Sequence, residues 1–237
     1  MNSKAVSVIS TSTNIVVATI PVGLWPSGVA FASSNGDIYV VNGGDETVSV
    51  IPALLFENGF ENNFVGWTAT YGSPTIVSSP VYSGSKAMLC LNPYSSKAYI
   101  SGFQQSHMFA QAKFMLNKNM EGMETLIAFF DSSDVPAATL MLNVVGGGVY
   151  LGVMTLLPSY SYAQYDVTGT LSANTWFSVA LESSPSGCTI YFNGVAVQSV
   201  SKSGFPLIGA VSVGMFWGSG DYGDIQGTLI VDDVGIK

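Results

Sequence analysis

Thr189-Ile-Tyr-Phe-Asn-Gly-Val-Ala-Val197 reads as two short strands of β-branched and aromatic residues on either side of an Asn-Gly turn, a β-hairpin. The same style extends outward in both directions. Upstream lie Asn174-Thr-Trp-Phe-Ser-Val-Ala-Leu181, Thr125-Leu-Ile-Ala-Phe-Phe130 and Phe109-Ala-Gln-Ala-Lys-Phe-Met-Leu116, and downstream comes Leu229-Ile-Val-Asp-Asp-Val-Gly-Ile236. Gly, Pro and Ser punctuate these runs, and no stretch sustains a helical period. Short strands at regular spacing predict an all-β chain and an antiparallel β-sandwich over residues 54–237.

Residues 1–53 differ. Val6-Ser7-Val8-Ile9 recurs letter for letter as Val48-Ser49-Val50-Ile51, an offset of 42 positions (48 − 6). That is the period of a propeller blade, yet it occurs only once, and a propeller needs several blades to close. The segment holds the last two strands of one blade and the first three of the next, a short blade-like β-meander. Unpaired strand edges are templates for strand addition. The sequence therefore predicts a structural subunit of a filament or other assembly, built by strand exchange or edge pairing with other copies of itself.

Two resemblances sharpen this reading. Residues 6–51, with Asn14-Ile-Val-Val-Ala-Thr-Ile-Pro-Val-Gly23 and Pro26-Ser-Gly-Val-Ala-Phe31, resemble the YVTN-type repeat of archaeal and bacterial surface proteins. Residues 55–237 resemble the concanavalin A-like lectin/glucanase jelly roll in its laminin-G-like form. The opening Phe56-Glu-Asn-Gly-Phe-Glu61, Trp67, Tyr82-Ser-Gly-Ser-Lys-Ala-Met88, the Asn-Gly hairpin and the final Asp232-Asp233-Val234 stand in that family's order. The resemblance implies a jelly-roll sandwich and an alternative function, a carbohydrate-binding or adhesion module that takes glycans.

Composition limits the partners. Of 237 residues 48% are hydrophobic and 9% charged, with seven lysines, no arginine and a net charge of −8. Such a chain has no basic patch to displace counterions from phosphates, which argues against nucleic acid. Pro136, Asp131, Asp134 and three consecutive glycines break the most apolar region, 126–157, so no membrane span is expected. Met1-Asn-Ser-Lys opens no signal peptide. The expected location is extracellular or at a cell surface, a virion included.

No catalytic motif is found. The Glu-x-Asp-x-x-Glu pattern of retaining glycanases on this fold is absent, and Glu121 and Glu124 flank Gly122 in an expected turn. The single histidine, His107, has no acid or nucleophile near it in sequence. The chain is expected to be non-enzymatic. In similar jelly rolls a Ca²⁺ joins the first strand to the last, and the residues carried over are Glu57 or Glu61 with Asp232 or Asp233. Strand alternation lets only one of the two aspartates face such a site. Sugar recognition points to Trp217, Asp221 and Tyr222, with Tyr160, Tyr162 and Tyr165 clustered in a second expected loop. Cys90 and Cys188 fall in separate predicted strands, and both a disulfide and two buried thiols stay open.

Overall fold

The computed structural model describes residues 4–9, 14, 16–32, 37–51, 55–91, 96–116, 122–215 and 228–237. They are built of strands alone, in two compact units, Met1–Leu54 and Leu55–Lys237. No helix is long and apolar enough to cross a membrane among the described residues.

In the first unit, β1 (Ala5–Ile9) pairs antiparallel with β2 (Val16–Pro21), and β3 (Pro26–Phe31), β4 (Ile38–Asn42) and β5 (Thr47–Ile51) form a second sheet with β4 in the middle. The five strands thus find partners within the chain in two small sheets, and among the described residues no ring closes. The unit has little interior. Val40 is fully buried, and Asn42 beside it donates to Thr47 Oγ1 and Ser49 Oγ.

The second unit is an antiparallel sandwich of β6 (Phe56–Asn58), β7 (Ala69–Tyr71), β8 (Thr75–Val77), β9 (Ala87–Leu91), β10 (Lys97–Gln105), β11 (Met108–Leu116), β12 (Gly122–Asp131), β13 (Pro136–Val145), β14 (Gly148–Thr155), β15 (Ser161–Asp166), β16 (Trp176–Ser184), β17 (Gly187–Phe192), β18 (Val195–Ser201), β19 (Ile208–Gly214) and β20 (Thr228–Ile236). One sheet has seven strands in the order β15-β14-β13-β12-β19-β10-β7. The other runs β18-β17-β16-β11-β20-β9-β8, with β6 paired to β20. Non-sequential neighbours such as β12-β19-β10 make this a jelly-roll-like sandwich and not a simple meander.

Alternation sends every second side chain inward. Phe129, Ile127, Leu140, Leu142, Leu151 and Val211 from one sheet meet Phe114, Leu181, Ile190, Val231 and Ile236 from the other in one apolar core. Each large side chain so buried contributes about 1.5–3 kcal/mol relative to exposure. Phe56, Phe60 and Trp67 close one end, Phe60 stacked on Trp67 with ring centroids 5.9 Å apart. The hairpin read from Thr189–Val197 is β17-β18, with Asn193 at φ +48°.

Cys90 and Cys188 are buried free thiols. They sit on β9 and β17, four strand spacings apart in one sheet, about 19 Å at about 4.8 Å per spacing. A disulfide needs Cα atoms within about 7 Å, so the bond left open by the sequence is excluded. Glu124 also departs from expectation. It lies on β12, not in a turn, and is buried.

Candidate functional site

The carboxylates expected at the first and last strands come together beneath the segment 79–86. Asp232 is fully buried, and its Oδ2 accepts the N–H groups of Tyr82 (2.8 Å) and Ser83 (3.1 Å) while Oδ1 accepts that of Asp233 (2.8 Å). Asp233 Oδ1 takes the Ser83 hydroxyl at 2.6 Å. Both aspartates therefore serve one site, against the alternation argument. The cause is a bulge. Lys113 pairs with Asp232 and Gln111 with Gly235, so Ala112 alone opposes Asp233 and Val234. Asp233 absorbs the extra residue at φ +47°, a conformation aspartate tolerates, and Val231 and Val234 both reach the core.

Glu61 grips the next residues of the same segment. Its carboxylate accepts the N–H groups of Ser85 (2.8 Å) and Lys86 (2.9 Å) and the Ser85 hydroxyl (2.6 Å). These bonds, led by the Ser85 hydroxyl, hold its pKa below the ordinary carboxylate value. Gly84 is required beside it: φ is +63°, and a Cβ there would lie 2.3 Å from Glu61 Oε1. Burial raises Asp232 above its usual value, against the pull of the three N–H groups. No lysine forms an ion pair with Asp232 or Asp233 among the described residues. Glu57 is not part of the group; it is exposed on β6, opposite Gly235. Among the described residues no three acidic, histidine or cysteine side chains converge enough to hold a metal by themselves. An ion bound here would draw the rest of its oxygen ligands from the main chain.

The outward face of the seven-stranded sheet is the second site; the sequence named Tyr162 as a sugar candidate but set it in a loop, apart from the other residues of this face. Tyr162 is on strand β15, not in a loop, and shares this face with Gln164, Tyr150 and Asn143. A Cβ on Gly152 would stand 2.8 Å from the Tyr162 ring, so the glycine lets that ring lie flat on the sheet. Tyr162 donates to Gln164 Oε1 at 3.0 Å, and burial raises its pKa while a hydrogen bond with Asn143 opposes the shift. An aromatic surface flanked by two amides results. At the other end of the face Lys97, almost fully buried, lies over the rings of Tyr71 (5.0 Å) and Phe130 (5.3 Å). Tyr99 packs edge-on to both rings and donates to Asp134 at 2.7 Å. Burial pulls Lys97 down to about 8, and burial with the Asp134 bond pushes Tyr99 far up. In the middle of this sheet side Ala128, Ala210, Thr139 and Ser212 are small and fully buried, so the exposed surface lies at the two ends. Seven strands make six spacings, so the face is about 29 Å across at about 4.8 Å each.

Tyr160 is exposed beside this face, and Tyr165 alternates to the other side of β15. Trp217, Asp221 and Tyr222 lie outside the described residues. His107 does have an acid beside it: Nε2 is 3.2 Å from Glu182, which also accepts the Tyr191 hydroxyl. The Glu182 bond, with burial, pushes Tyr191 up to about 12. This cluster, on the outward face of the other sheet, was invisible in sequence because 75 positions separate His107 from Glu182 (182 − 107). The tyrosine platform could have been found by reading 161–166 as a strand, where Tyr162 and Gln164 alternate onto one side.

No protein-family model and no curated protein matches the chain. Solved structures share its fold. The cellulose-induced protein Cip1 superposes with a TM-score of 0.56 at 14% identity, over 77% of this chain and 96% of its own. The enzymatically active domain of bacteriophage CBA120 tailspike protein 2 gives 0.50 at 12%, over 69% and 27%. The alginate lyase AlyC3 gives 0.47 at 10%, over 64% and 74%. Identities this low speak for the fold alone, an all-β jelly-roll-like sandwich. The strand pairing of the first unit corrects the leading expectation of a structural subunit polymerising by strand exchange. The described strands of that unit pair with one another, β1 with β2 and β3-β4-β5 in one sheet, and show no exchanged strand.

Proposed function

We propose that the chain is a non-enzymatic carbohydrate-binding module of the concanavalin A-like type, working outside the cell or at its surface and taking a glycan on the outward face of the seven-stranded sheet. The observation that carries this reading is the Tyr162 ring lying over Gly152 between Gln164 and Asn143. A sugar presents an apolar C–H face and a rim of hydroxyls. A flat aromatic with amides at its edge complements both. Binding is favoured over catalysis because the titratable groups of this face are committed to one another: Asp134 holds Tyr99, whose raised pKa keeps the phenol neutral.

Calcium belongs to the same proposal as a brace. Asp232 and Asp233 supply hard oxygens of the kind Ca²⁺ prefers, and among the described residues neither forms an ion pair with a lysine. Bound there, the ion would tie segment 79–86 to β20. A glycan array probed with the full chain, with and without calcium, tests both parts. Binding to at least one glycan class, with a melting temperature raised by calcium, supports them. An array at background rejects the module, and a melting temperature indifferent to calcium rejects the brace.

A further inference from the structure

Charge accounting narrows the ligand of the outward face, and the narrowing rests on the glycan-binding reading above. Of the lysines described in Leu55–Lys237, only Lys97 belongs to this face. Lys86 is spent on the Glu61 carbonyl and Asn63, Lys113 lies over Tyr82 and Lys237 over Phe109 on the other sheet, and Lys202, from β18's end, meets Ser161 at the start of β15, on the side that alternates away from Tyr162. Lys118 lies outside the described residues. Lys97 itself is almost fully buried between Tyr71 and Phe130. Against this one ammonium stand two exposed carboxylates, Asp134 at the Tyr99 end and Asp166 at the Tyr150 end. Asp166 is kept ionised by the hydroxyl and N–H of Thr168.

A polyuronate carries one carboxylate per sugar. Laid across the sheet, it would bring a row of anions to a face whose exposed charges are negative, on a chain of net charge −8. Desolvating each of those carboxylates without a cation costs several kcal/mol, and the surrounding field repels them. A neutral glycan meets no such penalty, and the groups around Tyr162 are neutral: the Gln164 and Asn143 amides and the Tyr150 phenol. We infer that this face selects uncharged polysaccharides of the hexose or pentose type and rejects polyuronates, so its ligand class differs from that of the alginate lyases sharing its fold.

Isothermal titration of the full chain with cellohexaose, xylohexaose and mannohexaose, against hexamannuronate and hexagalacturonate, tests this at low and at high salt. The expected result is at least about tenfold tighter binding of one neutral hexaose than of either uronate, a dissociation constant that salt leaves unchanged. Equal or tighter uronate binding that weakens with salt overturns the inference while leaving glycan binding intact. Binding of none of the five overturns the inference and the glycan reading together.

Discussion

Replacing Asp232 by alanine removes the acceptor for three N–H groups: Tyr82 and Ser83 on Oδ2, and Asp233 on Oδ1. Hydrogen bonds to a charged group contribute about 1.5–3 kcal/mol each, so the lower bound for three is about 4.5 kcal/mol. Two terms reduce it. Burying the carboxylate already costs folding energy, as its raised pKa records, and freed donors in a half-exposed segment regain water. The expected net loss is about 3 kcal/mol. For a unit of this size that lowers the melting temperature by about 6–12 °C. Asp232→Asn keeps the shape but turns an NH₂ toward an N–H, and is expected to lose about 1–2 kcal/mol. Urea unfolding followed by tryptophan fluorescence is the assay. Trp176 packs against Tyr82 at 5.7 Å, so its emission also reports whether segment 79–86 stays docked. A loss below about 1 kcal/mol for the alanine variant would refute the claim that this buried carboxylate anchors the segment.

Both thiols are buried and pushed up to about 12, so Ellman's reagent is expected to find none in the native chain and two after denaturation without reductant; a chain needing reductant to show them would contradict the free-thiol state. Lys97 at about 8 against an unfolded value near 10.5 means that between those pH values the unfolded chain holds a proton the folded one has shed. Stability therefore rises with pH across that window, and Lys97→Met should flatten the rise; an unchanged slope in the variant assigns it elsewhere. Gly152→Ala places a Cβ where the Tyr162 ring lies and should lift that ring, weakening glycan binding by about tenfold with little change in melting temperature. Equal affinity in that variant would show that the flat ring is not the platform.

Much of the sandwich was legible because its signals are local. Alternation in Phe109–Leu116 and Trp176–Leu181, and the Asn-Gly turn, each identify a strand without reference to any other. The Asp232 and Asp233 site was half legible. The sequence supplied the right residues with Glu61, but not the bulge, which depends on β11 running one residue short opposite β20. Glu57 was excluded only by the register of β6. The glycan face was illegible for a further reason. Tyr71, Lys97, Phe130 and Tyr162 come from four strands brought onto one sheet by pairings such as β12-β19-β10, and sequence distance carries no trace of that order. The repeated Val-Ser-Val-Ile was legible as strands, β1 and β5, each of which pairs within the chain along one edge.

The central claim is that a glycan binds the outward face of the seven-stranded sheet through Tyr162. Titration calorimetry on two variants from opposite faces tests it most directly. Tyr162→Ala removes the ring over Gly152, and Phe109→Ala removes a ring of similar size on the other sheet, where it packs against Tyr191 at 5.5 Å. Losing an aromatic platform should cost about 1.5–3 kcal/mol, a weakening of about 10- to 100-fold. The account predicts that loss for Tyr162→Ala and affinity within about twofold of wild type for Phe109→Ala. Unchanged binding in Tyr162→Ala, or a loss confined to Phe109→Ala, would contradict it.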